Sequence, residues 1–221
     1  MSMMKRFFIL FFIFLNLFAV AIADVMPYYI NSLRRYGIGY TQVQSPLVMR
    51  REAKKDGEIL EVLNFNYKKE ETVCTKNKDR CEIDEVFAAY SKSKKLAFLT
   101  TLDYTEGWSL VCFNQSERPV CGWVQEVPNK YYTWSDFFGI LGKKYGLYLF
   151  KDLQKADKQL YGAPIKQTNA VGSVEMPRLI TPWLVRGNWV LVKVNDFQNQ
   201  LKTGWINYRG DNGKLKLFVK F

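Results

Sequence analysis

The sequence predicts an all-β protein built from two similar small units. Three observations carry this. A phrase of strand, turn and strand at Gly107 to Val124 (GWSLVCFNQSERPVCGWV) returns at Gly187 to Ile206 (GNWVLVKVNDFQNQLKTGWI). In both, a Trp opens the first strand and a Gly-Trp sits in the second. The Trp-to-Trp spacings are 15 (Trp108 to Trp123) and 16 (Trp189 to Trp205), so the chain carries an internal repeat. The remaining apolar runs are short, rich in β-branched and aromatic residues, and separated by Gly and polar turns, with few helical patterns between them. Aromatic residues make up 16% of the chain, enough to fill small β cores.

Residues 1–23 read as a secretory signal peptide. Lys5 and Arg6 form a basic start, Phe7 to Val20 is apolar except for Asn16, and Ala21-Ile-Ala23 is a small-residue cleavage signal. Cleavage after Ala23 leaves Asp24 as the first mature residue. The apolar run is at the short end for a membrane span, and no later stretch is long enough to cross one. The expected location is therefore outside the cytoplasm, in the periplasm or beyond the cell.

Tyr36 to Met49 is strand-like, with Pro46 limiting the ladder. A turn at Asp56-Gly57 leads into Glu58 to Phe65 (EILEVLNF), which alternates as a strand. The polar stretch from Asn66 to Lys95 holds Cys74 and Cys81, and within it Ile83 to Tyr90 fits a short helix or a strand. Leu96 to Leu102 is a strand, and Asp103 to Gly107 turns into the first Trp hairpin. Asn129 to Lys144 crowds Tyr131, Tyr132, Trp134, Phe137 and Phe138 together, with Ser135 placed to cap a helical turn. This stretch is too apolar for a free linker and is expected to pack between the units. Tyr145 to Leu153 opens the second unit as a strand, Gln154 to Gln159 is a polar loop, and Leu160 to Pro164 is apolar before a turn. Thr181-Pro-Trp183 leads into the second hairpin. Lys214 to Phe221 (KLKLFVKF) closes the chain as a strand with one wet and one dry face. The organisation is residues 1–23 as signal, 24–128 as first unit, 129–144 as aromatic connector and 145–221 as second unit.

Four cysteines are present, at 74, 81, 112 and 121. Export permits disulfides. Cys112 and Cys121 flank the turn of the first hairpin, and Cys74 and Cys81 flank the loop TKNKDR, so the local pairings Cys74–Cys81 and Cys112–Cys121 are expected. The competing reading is zinc, but the spacings are unlike a C-x2-4-C knuckle.

The Trp phrases resemble the bacterial Src-homology-3-like domains of exported proteins. Gly107, Trp108, Gly122, Trp123 and Val124 match the family signature in the first unit. Trp189, Gly204, Trp205 and Ile206 match it in the second. Leu47-Val-Met-Arg50 and Leu160-Tyr-Gly-Ala-Pro164 partly match the family's early Asn-Val-Arg-then-Gly-Pro strand. The resemblance covers residues 37–128 and 145–221. It implies two small Src-homology-3-like barrels in tandem. The first is longer by roughly 32 residues, since Leu47 to Trp108 spans 61 positions against 29 from Leu160 to Trp189. That insert falls on the segment with Cys74 and Cys81.

The resemblance implies binding rather than catalysis, with cell-wall peptides, glycans or proteins as ligands. The residues agree. No His exists, which removes Ser-His and Cys-His catalysis and His-ligated metals. Glu70-Glu71 and Asp84-Glu85 are adjacent pairs, which on a strand point to opposite faces and make poor acid-base partners. No phosphate-binding Gly loop is present. No catalytic residue, cofactor or metal is expected. Residues 24–128 carry 15 Lys/Arg and 15 Asp/Glu, whereas residues 129–221 carry 15 and 6, so the second half suits an anionic partner. Export argues against nucleic acid as that partner. Trp108, Trp123, Tyr161, Trp189 and Trp205 are the candidate binding residues. Among them the Gly-Trp indoles (Trp123, Trp205) are expected mostly inside and the turn-side indoles (Trp108, Trp189) nearer a groove. The leading functional expectation is an exported envelope-binding protein for peptidoglycan or another anionic polymer. The alternative is a periplasmic protein–protein scaffold using an exposed strand edge such as Lys214 to Phe221.

Overall fold

The computed structural model describes residues 37–67, 71–74, 80–81, 86–115, 118–150, 153–174, 180–195, 200–211, 213 and 215–221. The signal segment 1–23 and its cleavage point lie outside them. The described chain is mostly β-strand, and no helix in it is long and apolar enough to cross a membrane.

The first half supplies β1 (Gly39–Gln42), β2 (Leu47–Arg50), β3 (Ile59–Asn66), β4 (Glu71–Cys74), β5 (Arg80–Cys81), β6 (Ala89–Ser91), β7 (Leu96–Thr105), β8 (Trp108–Gln115), β9 (Arg118–Gln125) and β10 (Lys130–Thr133). They form one sheet in the order β10-β1-β7-β8-β9-β2-β3-β4-β5, with β6 pairing on β7. The second half supplies β11 (Leu147–Leu149), β12 (Gln159–Tyr161), β13 (Ala170–Ser173), β14 (Thr181–Arg186), β15 (Trp189–Asn195), β16 (Leu201–Asn207) and β17 (Leu217–Val219). These make a sheet β13-β12-β16-β15-β14 and a pair β11-β17, joined by a single bridge between Leu147 and Ile180. No closed barrel forms among the described residues; each path stays open.

The repeat extends well beyond the two hairpins. The path β10-β1-β7-β8-β9-β2-β3 is retraced by β17-β11-β14-β15-β16-β12-β13, with the Ile180 bridge standing where β1 meets β7. The registers coincide as well. Trp108 opposes Gln125 as Trp189 opposes Asn207, and Val111 opposes Gly122 as Val192 opposes Gly204. In each copy the strand before the hairpin carries a bulge at the same place, between Thr101 and Asp103 and between Pro182 and Leu184. Among the described residues the strands β4, β5 and β6 have no counterpart in the second copy.

The Gly of each Gly-Trp has a steric reason. A Cβ on Gly122 would lie 3.0 Å from Cβ of Met49, and one on Gly204 would lie 2.8 Å from Cβ of Leu160. These are the points where β2 crosses β9 and β12 crosses β16, so the third strand approaches too closely for a side chain. The following Trp then falls opposite Arg50 in one copy and Tyr161 in the other.

Two cores result. One lies within the first sheet around Leu47, Met49, Leu63, Ala97, Leu99, Val111 and Val124. The other runs from Tyr40, Phe98 and Tyr132 of the first sheet into Val190, Val192, Ile206, Leu217 and Val219 of the second. The bridge between the halves is a helical stretch: α1 (Trp134–Asp136), a π-turn (Phe137–Leu141) and α2 (Gly142–Tyr145). Its cap is Thr133 rather than the expected Ser135, because the Thr133 hydroxyl faces and accepts from the Asp136 backbone N–H. Phe137 and Phe138 are fully buried, and the indole N–H of Trp134 donates to the Gly37 carbonyl at 2.7 Å. Lys130–Thr133, at the start of the aromatic connector, pairs with β1 as a strand of the first sheet.

Several local expectations shift. The strand before the first hairpin runs on to Thr105, so the turn shrinks to Glu106 and Gly107, both with positive φ. The expected strand over Tyr145 to Leu153 contracts to Leu147–Leu149, and Lys155–Lys158 is a 3-10 turn. Thr181–Arg186 is a full strand rather than a lead-in. The closing segment is an edge strand, paired among the described strands with β11 alone, but its expected wet face is interrupted at Phe218 between the half-buried Lys216 and the exposed Lys220. Leu217, Phe218 and Val219 are all buried, since Phe218 packs on Tyr148, Phe150 and Phe221. The flanking Lys216 and Lys220 amides donate to the Tyr208 and Gly146 carbonyls.

Cys112 and Cys121 are directly opposed on β8 and β9 and form a disulfide with Cα atoms 4.1 Å apart. A bridge closing so short a loop restricts the unfolded chain by no more than about 2–3 kcal/mol. The double variant Cys112→Ser, Cys121→Ser is therefore expected to fold and to lose about 2 kcal/mol in urea unfolding. Failure to fold at all would show a larger role for the bridge. The expected Cys74–Cys81 bridge involves side chains outside the described residues.

Tyr208 gives the fold an alkaline limit. It is 2% exposed, donates to the Gly187 carbonyl at 2.8 Å, and burial pushes its phenol up to about 12, against a smaller opposing pull from Arg209. The unfolded chain ionises this group near its usual pKa of about 10 while the folded chain does not. The stabilisation is thus whole below about pH 10 and is lost as pH climbs towards about 12, amounting to about 2–3 kcal/mol. Urea midpoints measured from pH 9 to 12 should fall steeply in the parent and less steeply in Tyr208→Phe; equal slopes would remove Tyr208 as the cause.

Candidate functional site

Directly opposed residues of antiparallel strands share a face. On the second sheet this rule assembles one outer surface. Trp189, Leu191 and Lys193 of β15 lie on it, opposed by Asn207, Trp205 and Thr203 of β16. Tyr161 of β12 opposes Trp205, and Leu184 and Arg186 of β14 oppose Leu191 and Trp189. Three of the residues singled out from the sequence, Tyr161, Trp189 and Trp205, therefore meet on one face. The Tyr161 and Trp189 rings pack edge to face at 5.4 Å.

Their exposure differs from expectation in the second copy. Trp189 is 9% exposed, closed over by Tyr161, whereas Trp205 is half-buried on the surface. The turn-side indole is a support and the Gly-Trp indole is accessible. A Gly at 204 draws β12 close and so brings Tyr161 within reach of Trp189.

The corresponding face of the first sheet carries Trp108 and Trp123, both half-buried, with Leu110 between them in register. Its chemistry has diverged. Where the second copy has Lys193 opposite Thr203, the first has the Cys112–Cys121 disulfide. Where the second has Leu184 and Arg186, the first has Asp103 and Thr105. Arg50, in the place of Tyr161, is tied by its guanidinium to the Gly57 carbonyl at 2.7 Å. The two sets of sequence-selected residues thus lie on equivalent faces of two sheets rather than in one site.

Sequence reading missed the most exposed indole. Trp183 is 53% exposed and sits at the β14 bulge, which turns it out of the ladder. The Lys193 ammonium lies 3.4 Å from its ring centroid, a cation–π contact. Leu184 beside it is 54% exposed. The only sequence signal was the Thr-Pro-Trp lead-in to the second hairpin, and periodicity alone does not mark a bulge.

Elsewhere a cleft of about 520 Å³ in the first half is lined by Gln42, Gln44, Asn66, Tyr67 and Lys95 among others. Burial pushes the Tyr67 phenol there up to about 12, with the neighbouring Tyr90 adding to the effect. A smaller cavity of about 330 Å³ lies between Phe87–Tyr90 and the rings of Tyr148, Phe150 and Phe218. Among the described residues no group of His, Cys, Asp and Glu side chains is placed to hold a metal ion. The carboxylate pairs Glu70-Glu71 and Asp84-Glu85 fall outside the described side chains.

Fold and surface together define a mostly β protein with a duplicated strand path and an aromatic, basic outer face on its second copy. Comparison with known protein families, with curated proteins and with solved structures yields no match.

Proposed function

We propose that this chain is an exported, non-catalytic binding protein of the bacterial cell envelope, built on two Src-homology-3-like units, that holds peptidoglycan or another anionic envelope polymer. The observation that carries the reading is the gathering of Tyr161, Trp189 and Trp205 on one face beside Lys193 and Arg186. Aromatic rings with one wet side suit sugars and peptides, and the cations suit carboxylates and phosphates. The retraced strand path and the Gly-Trp crossings support the family likeness. The apolar segment 1–23 supports export, and the Cys112–Cys121 bridge fits an oxidising compartment.

The test is a pull-down of the mature chain, residues 24–221, on purified peptidoglycan sacculi across a salt series. Retention at moderate salt supports the reading. Release by about 0.3 M salt reduces it to charge attraction, because screening there acts within a few ångström. No retention at any salt removes it.

A second reading, a scaffold for another envelope protein, draws on a different observation. The outer edge of β3 is covered by β4, while among the described residues no strand covers the equivalent edge of β13. A partner strand added there would complete the sheet. Capture of a defined protein from an envelope extract freed of glycan would favour it.

A further inference from the structure

We infer that the ligand-contact centre is the Trp183–Lys193 pair on β14 and β15, with Arg186 as a second anchor, and that its ligand is an acidic polysaccharide. This rests on the envelope-binding reading and narrows it to a site and a chemical class.

The internal duplication supplies the control. Both copies carry the bulge at the same register, so the bulge itself belongs to the fold. The bulged residue is Leu102 in the first copy, partly covered and flanked by the buried Cys112 across the ladder. In the second copy it is Trp183, exposed, with Lys193 in the place of Cys112. A large indole projected by a bulge and left more than half in solvent loses burial that a core position would give it. The same scaffold position manages with Leu, so the fold does not require the indole.

The charges on this face point outward in function. Lys193 and Arg186 form no ion pair among the described residues, unlike Lys166 with Asp211 or Lys216 with Asp157. Lys193 is instead held over the indole, which fixes its ammonium beside the ring. Arg186 stands opposite Trp189, four residues along β15 from Lys193, a separation of about 13 Å at the rise of a strand. Between the two cations lie Leu184, Leu191 and Trp205, a shallow apolar strip. Two cations that far apart, with flat apolar surface between them, fit an extended chain that alternates apolar ring faces with carboxylates. A single small anion would engage one end only. A bilayer would be met better by a protruding apolar tip with cations at its rim. Sugar rings stack on the free side of the indole, and carboxylates meet the ammonium and guanidinium through charge-assisted hydrogen bonds.

The experiment uses the mature chain, residues 24–221, with polygalacturonate as probe and dextran as its neutral counterpart. Binding is read by calorimetry or fluorescence at several salt concentrations, with sacculi and anionic phosphatidylglycerol vesicles in parallel. Binding to polygalacturonate but not dextran is expected. Trp183→Ala should weaken it tenfold or more with an unchanged melting temperature, since the indole is exposed. Lys193→Gln with Arg186→Gln should weaken it and flatten its salt dependence. Thr105→Ala, at the first copy's counterpart of Arg186, should leave it within twofold. Equal affinity of Trp183→Ala and parent overturns the assignment of the site. Sacculus binding that persists without polygalacturonate binding overturns the ligand class and leaves the envelope reading standing. Loss of both removes the two readings together, and Trp183-dependent binding to vesicles alone replaces the polysaccharide by a membrane surface.

Discussion

Phe137→Ala is expected to destabilise the whole protein by about 3–5 kcal/mol. The ring is fully buried and contacts six others: Tyr40 and Phe98 from the first sheet, Trp134 and Phe138 from its own segment, and Phe218 and Phe221 from the end of the chain. Truncation removes transfer energy and leaves a cavity that rigid neighbours fill poorly. Edge-to-face pairs add about 0.5–1.5 kcal/mol each beyond burial, so losing several pushes the cost to the upper end. Because the ring ties both halves, a single unfolding transition should move down as a unit, by about 6–20 °C for a chain of this size. Two separated transitions in the variant, with the first-half transition unmoved, would show that the halves are stabilised independently. A fall of under 3 °C would show that the cluster does not join them.

Gly39→Ala should cost about 3 kcal/mol or more, at the upper end of overpacking effects. A Cβ at this position would collide with the backbone oxygen of Tyr132 and sit 3.0 Å from a ring carbon of Tyr131. The obstacle is main chain in the paired strand β10, so a rotamer change cannot relieve it. Either β10 leaves β1 or β1 moves from β7, and both expose the Tyr40 and Tyr132 core. Thermal unfolding should show a drop of about 6–12 °C. Near-UV circular dichroism should lose intensity, since Tyr131, Tyr132 and Trp134 all follow β10. An unchanged melting temperature would mean that the β1–β10 pairing contributes little. Gly39 carries no positive φ, so the requirement is space alone.

Much of this architecture was legible in the sequence for local reasons. Strand alternation shows up in a window of a few residues, and Glu58 to Phe65 became β3 almost as read. The Trp repeat was visible because both hairpins meet a third strand with the same crossing geometry. The pairing of Cys112 with Cys121 followed from their places on one hairpin. The site was only partly legible. Tyr161, Trp189 and Trp205 were identifiable one by one, but nothing in their spacing showed that Tyr161 shuts Trp189 in while Trp205 stays open. Trp183 escaped notice because a bulge changes the face of one residue without altering the composition around it. The closing strand departs from its alternation at Phe218, where the rings of Tyr148 and Phe150 cover a side chain on the face that alternation predicts to be wet.

By itself the sequence determined that the protein is mostly β and duplicated, that its second half is basic, and that a Gly-Trp recurs in each hairpin. Those properties rest on neighbours within a turn or a ladder rung, where geometry is set by short-range sterics and alternation. The tertiary structure alone decided the shared strand path, the aromatic joint through Phe137, and which indole meets solvent. Those depend on pairings between residues some 20 to 100 positions apart, such as Tyr161 with Trp205 and Gly39 with Thr133. At that range each contact is chosen by the packing of the whole core rather than by the residues that flank it.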